Sequence, residues 1–260
     1  MTKARSGPVL LTLAVAALLA FTGFVALGIW QVERRAWKLD LIETIDARVH
    51  AAPVPPPAPG SWGEVNAADD AYRRVRIAGT FLHDRETFVQ ATTELGAGYW
   101  LLTPLQADDG RIVLVNRGFV PPEARDRAAR GAPEPPGPVT VTGLLRISEP
   151  RGSFLRGNDP AADRWYSRDV PAIAAARGLD GVAPFFVDAE AAPASPSATA
   201  NAARTWPAGG LTVIRFQNSH LVYAITWFAL AAMVAAAAVY VGRDAWRSRR
   251  AGIGEDTPHD

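Results

Sequence analysis

Four histidines, His50, His83, His220 and His259, are the side chains best suited to move a proton or hold a metal near neutral pH. His220 is followed by Tyr223 and Trp227 at i+3 and i+7, which puts an imidazole and two aromatic rings on one helix face. Neutral imidazole is a common axial ligand of haem, so His220 is the candidate metal ligand. A flat apolar macrocycle would lie against Tyr223 and Trp227, and Arg34, Arg35 and Arg215 would meet its propionates. The same residues admit a plainer reading. Tyr and Trp form ordinary belts at membrane interfaces, Asn218 and Ser219 can cap a helix, and arginines at that level contact lipid phosphate. The run His83-Asp84-Arg85-Glu86 has the composition of an acid/base or metal site, but it falls between two strand-like segments, where a solvated polar turn is expected.

Composition closes other routes. Cysteine is absent, which removes disulfides, thiolate metal sites, cysteine nucleophiles and CxxC redox chemistry together. The only lysines are Lys3 and Lys38, so a Ser/Lys dyad would have to use one beside the membrane. No HExxH, GxSxG, Walker or dinucleotide-binding pattern occurs, and 27 Lys and Arg against 26 Asp and Glu give no broad basic surface for nucleic acid.

The elements that must position these residues begin with two uncharged runs, Val9–Trp30 and Leu221–Gly242, of 22 residues each. Each is long enough as a helix to cross a hydrocarbon core of about 30 Å. Lys3, Arg5, Ala26 and Gly28 also fit a cleaved signal peptide, but the apolar core of such a peptide runs to only roughly 7–15 residues, so a span is expected. Lys3 and Arg5 before the first run and Arg243, Arg247, Arg249 and Arg250 after the second place both termini in the cytoplasm. The domain between them is then extracytoplasmic, although Arg34, Arg35 and Lys38 just outside the first span vote the other way.

Trp30, Arg34, Trp37, Leu41, Ile45 and Val49 recur every three to four residues, so the first helix continues to about Arg48. The segment PVPPPAPG (Pro53–Gly60) cannot extend it and reads as an extended spacer before a domain starting near Trp62. Strands are expected at Tyr72–Ile77, Thr87–Ala91, Tyr99–Leu105, Ile112–Val115, Val139–Ile147 and Phe185–Val187, with a hairpin turning at Asp108-Asp109-Gly110. Asp169, Pro171 and Gly178 mark the start and stop of a short helix, and Ala189–Pro207 reads as a loop rich in Ala, Pro, Ser and Thr. The expected fold is a membrane protein with two transmembrane α-helices flanking one α+β, mainly antiparallel β, extracytoplasmic domain. Its divisions are 1–8 (cytoplasmic), 9–30 (first span), 31–61 (helical extension and spacer), 62–219 (domain), 220–242 (second span) and 243–260 (cytoplasmic tail).

Three blocks resemble the Surfeit-locus (Surf) family. They are Gly28-Ile29-Trp30-Gln31-Val32-Glu33-Arg34 leaving the first span; Gly98-Tyr99-Trp100 and Thr103-Pro104-Leu105 leading to Asn116-Arg117-Gly118-Phe119; and Asn218, His220, Tyr223, Thr226, Trp227 and Phe228 entering the second span. Phe119 stands where the family more often has Trp. The resemblance implies an inner-membrane assembly factor for cytochrome c oxidase, without turnover, that helps deliver haem a to subunit I or stabilise it there. His220 matches the position proposed as a haem ligand, and the implied partners are subunit I, haem a synthase and membrane lipid. Asn116-Arg117-Gly118 is expected as a domain-organising turn. A scaffold that grips subunit I without holding haem is the main rival. A membrane-anchored periplasmic enzyme would need a nucleophile, base and orienting group that no part of the sequence combines.

Overall fold

The computed structural model describes residues 7–131, 133–150, 152, 156–191, 205–212 and 218–253. In chain order its elements are helix α1 (Gly7–His50), the one-turn helix α2 (Ala67–Asp70), strands β1 (Arg74–Phe81), β2 (Thr87–Thr93), β3 (Gly96–Gln106), β4 (Ile112–Val120) and β5 (Pro138–Ile147), helix α3 (Val170–Arg177), strand β6 (Val182–Ala189) and helix α4 (His220–Ile253). Two compact units result, Met1–Glu43 with Arg215–Asp260, and Thr44–Ile214.

The first unit holds most of α1 and all of described α4. Both are long and apolar enough to cross a membrane. Leu11, Leu18, Leu19, Val222, Ile225 and Met233 are exposed on them, an arrangement that water would penalise over the uncharged stretch of each helix.

In the second unit the strand order is β1-β5-β6-β4-β3-β2, and β1 also pairs with β3 at Thr80↔Gln106 and Phe81↔Leu105, which closes five strands into a barrel-like sheet. All strand pairs are antiparallel except β4 with β6. The period-two alternation of strands sorts side chains between two cores. Val113, Val115, Phe185 and Val187 join Val75, Ile77, Leu105 and Leu145 in one cluster, while Leu114 and Phe186 join Val89, Leu102, Trp165 and Ile173 of α3 in the other. β4 is therefore covered on both faces and is buried at every position except Arg117.

Local signals are realised locally. Asp169 caps α3 by accepting from Ala172 N, and Gly178 ends it with φ of 62°. Asp108-Asp109-Gly110 turns between β3 and β4, with Gly110 N donating to Ala107 O at 2.9 Å. The proline segment is extended but is no free spacer. Val54 N donates to Arg74 O and Val54 O accepts from Arg76 N, so it lies along β1, and Trp62 Nε1 donates to Pro57 O at 3.1 Å. Arg48 at the end of α1 donates to the carbonyls of Ala68 and Ala71. Asn116-Arg117-Gly118 is strand and not turn. Of the loop expected at Ala189–Pro207, residues 192–204 lie outside the described residues, Glu190 pairs with Arg74, and Trp206 packs edge-on against Phe119 at 6.0 Å.

Candidate functional site

The candidate ligand lies on the seam between α1 and α4. His220 opens α4, and its Nδ1 stands 2.7 Å from Gln31 Oε1 of α1. Gln31 is only 9% exposed, the one amide in an otherwise apolar stretch of that helix. Down the same seam, Trp227 stacks on Phe24 with ring centroids 5.7 Å apart, Ala224 and Ala231 are buried, and the Phe228 ring covers Gly28. A Cβ at position 28 would come within 2.6 Å of that ring, so glycine lets the ring lie where it does against α1. Along the seam this one polar contact is accompanied by the packing of Gly28, Phe24, Trp227 and Phe228.

The five expected site residues are brought together only in part. His220 and Trp227 share the seam. Tyr223, roughly 60° round the helix from His220, is turned outward and is 55% exposed. Arg34 is exposed and lies 3.9 Å over the ring of Trp37, while Arg35 is half-buried. Arg215 lies outside the described residues. Asn218 does not cap α4, since neither amide atom finds a partner among the described residues; Ser219 contributes its carbonyl, which accepts from Tyr223 N. Gln31 stood in the first of the blocks that resemble the Surf family but was not among the expected site residues, because its partner His220 is 189 positions away.

In the β domain, His83 is not in a solvated turn. It sits in a short helical turn, 19% exposed, with Nδ1 3.1 Å from Glu134 and 3.7 Å from Glu86. His83, Glu86 and Glu134 offer the donor set of a metal site. Three guanidinium groups occupy that ground already. Arg130, 1% exposed, donates to both carboxylates of Glu86 and Glu134, Arg117 reaches Glu134 at 2.6 Å, and Arg127 reaches Glu86 at 3.4 Å. Three positive charges against two negative ones disfavour an added cation, so the cluster is a structural ion network. Burial pushes the Glu134 carboxyl up, but the hydrogen bond and charge of Arg117, with His83 and Arg130, outweigh it and hold the group below the ordinary glutamate value. The solvated-turn expectation failed because Arg117 and Glu134, which help to enclose His83, come from distant parts of the chain.

A second buried network centres on Asp188, 3% exposed, which accepts from Asn116, Arg146, Arg168 and Thr212. Asn116 Oδ1 also accepts from Gly118 N, whose φ of 128° suits glycine alone. These contacts tie β4, β5 and β6 together and present no nucleophile beside a base.

Comparison with known proteins covers both units. The model of the SURF1 family matches residues 18–232. Surfeit locus protein 1 of Rattus norvegicus is 34% identical over 222 residues, 79% of this chain and 68% of that protein. The Homo sapiens protein of the same name is 33% identical over 83% of this chain and 72% of its own length, and a SURF1-like protein of Monosiga brevicollis is 34% identical over 84% and 82%. By this match, which takes in the β domain and the adjoining parts of the two apolar helices, the chain belongs to the SURF1 family.

Proposed function

We propose that this chain is an inner-membrane assembly factor for haem-copper cytochrome c oxidase, helping haem a into subunit I or stabilising it there, with no covalent step of its own. The observation that carries the reading is the family match over residues 18–232. In this reading α1 and α4 cross the membrane with both termini in the cytoplasm, and the β domain stands outside. Subunit I is the principal partner, with haem a synthase a second and lipid around the helices.

Haem a is cargo here and not a resident cofactor, and two residues of the seam, His220 and Trp227, are of the kind that suits it. With Gln31 Oε1 facing Nδ1, His220 keeps its Nε2 lone pair as the donor that iron takes. Trp227 supplies an aromatic wall, Tyr223 an exposed ring with a hydroxyl, and Arg34 and Arg35 the charges that suit propionates. When bound, haem supplies an apolar, oxygen-reactive macrocycle. The protein's part is to hold it by one imidazole and shield it until subunit I takes over.

Deleting the gene should lower the amount of assembled oxidase while haem a synthesis continues. The full chain, purified in detergent from cells that make haem a, should carry a haem spectrum that His220→Ala loses. Normal oxidase in the deletion strain would refute the assembly role. A haem-free wild-type chain alongside defective oxidase would favour the scaffold that grips subunit I without haem.

A further inference from the structure

We propose that Gln31 decides which nitrogen of His220 is offered to a metal, a positioning role that rests on the reading of His220 as a haem ligand. An amide oxygen can only accept, so with Gln31 Oε1 2.7 Å away the imidazole proton belongs on Nδ1. The lone pair is then fixed on Nε2. An acceptor on the second nitrogen is the usual companion of a ligating imidazole, because it sets the tautomer, stops the ring from rotating and raises the basicity of the ligating atom.

Two features separate this contact from a chance one. Gln31 is buried while the neighbouring positions Ile29, Trp30 and Val32 are exposed apolar surface, so the one polar side chain of this stretch is turned onto the one imidazole of α4. Below the pair, Gly28 under Phe228 and Phe24 on Trp227 hold the helices close enough to keep the amide within reach. A leucine at 31 would satisfy packing equally well in an apolar seam. What it would lack is an acceptor.

The test uses the full-length chain in detergent, purified from cells that make haem a, as wild type, Gln31→Leu and Gln31→Glu. Gln31→Leu should retain haem about 10–100-fold less tightly, the usual effect of removing such a partner, with a shifted Soret band. Gln31→Glu should keep haem and lower its midpoint potential, since a carboxylate draws harder on the Nδ1 proton and makes Nε2 a stronger donor. A structural clamp alone would change thermal stability and leave band position and potential untouched. Gln31→Leu protein with wild-type haem content and spectrum, or Gln31→Glu protein with an unmoved potential, overturns the proposal. Should Gln31→Leu fail to insert, the Gln31→Glu potential decides alone. A wild-type chain that carries no haem would sink the ligand reading itself, which is a different result from haem-bearing wild type indifferent to position 31.

Discussion

Asn116 and Asp188 face each other where β4 and β6 run parallel, with Asn116 Nδ2 2.8 Å from Asp188 Oδ1 and both side chains buried. Asp188 also neutralises Arg146 at 2.8 Å and Arg168 at 3.2 Å, so one carboxylate serves three strands and the segment before α3. Replacing it by Ala leaves two largely buried guanidinium groups short of a partner. Glu149 still holds Arg168 bidentately, so Arg146 is the more exposed to the loss. Asp188→Ala should cost about 3–5 kcal/mol, measured by denaturant unfolding of the detergent-solubilised chain. A loss under about 1 kcal/mol, the scale of a surface pair, would mean the network is solvated.

The Glu86, Glu134 and Arg130 network should give the β domain an acid-sensitive step. Glu134 ionises more readily folded than unfolded, so its contribution is complete above the ordinary glutamate value of 4.5 and disappears as pH falls through the lowered folded-state value. Glu134→Gln should destabilise by about 1.5–3 kcal/mol near neutral pH, and its melting temperature should fall less than that of wild type between pH 5 and pH 3. Parallel melting curves for the two proteins across that range would show that Glu134 carries no such linkage.

How much of this was legible depends on the distance over which each signal acts. Asp169, Pro171 and Gly178 lie within one short helix, and its limits follow from them directly. Strand positions followed from runs of β-branched residues, and the two apolar helices from length alone. The closure of β1 onto β3, the parallel pairing of β4 with β6 and the burial of His83 depend on pairings between remote segments, and no local propensity encodes them. Val54 illustrates the same point, because prolines specify an extended backbone without saying what it lies against. At the candidate site His220 and Trp227 were visible as a face, whereas Tyr223 fell outside the seam because the pattern of a single helix does not say where its partner helix stands.

Membrane topology can be read from single cysteines, since the chain has none of its own. Asp84, whose side chain is 74% exposed in the β domain, should react as Asp84→Cys with a membrane-impermeant maleimide added to intact cells whose outer barrier has been opened. Arg250→Cys, at the far end of α4, should react only after the inner membrane is broken. Labelling of the Arg250 site in intact cells, or protection of the Asp84 site there, would reverse the proposed orientation.

Gly28 of α1 lies under the Phe228 ring of α4, where an added Cβ would lie 2.6–2.9 Å from ring atoms. The obstructing atoms are the far end of a side chain, so a single methyl can be accommodated by a turn of the ring. A leucine, with three carbons beyond that methyl, needs more room than a turn of the ring gives. Gly28→Leu should therefore part α1 from α4 and pull Gln31 away from His220. Spin labels on Leu11→Cys and Val239→Cys, both exposed in the native pair, should report a longer and broader distance distribution. Adding Phe228→Ala removes the obstructing ring and should return the distribution towards that of wild type, with the haem signal, where present, recovering in step. An unchanged distribution in Gly28→Leu would show that the helices are held apart from this contact by other means. Failure of Phe228→Ala to restore it would show that position 28 acts through something besides that ring.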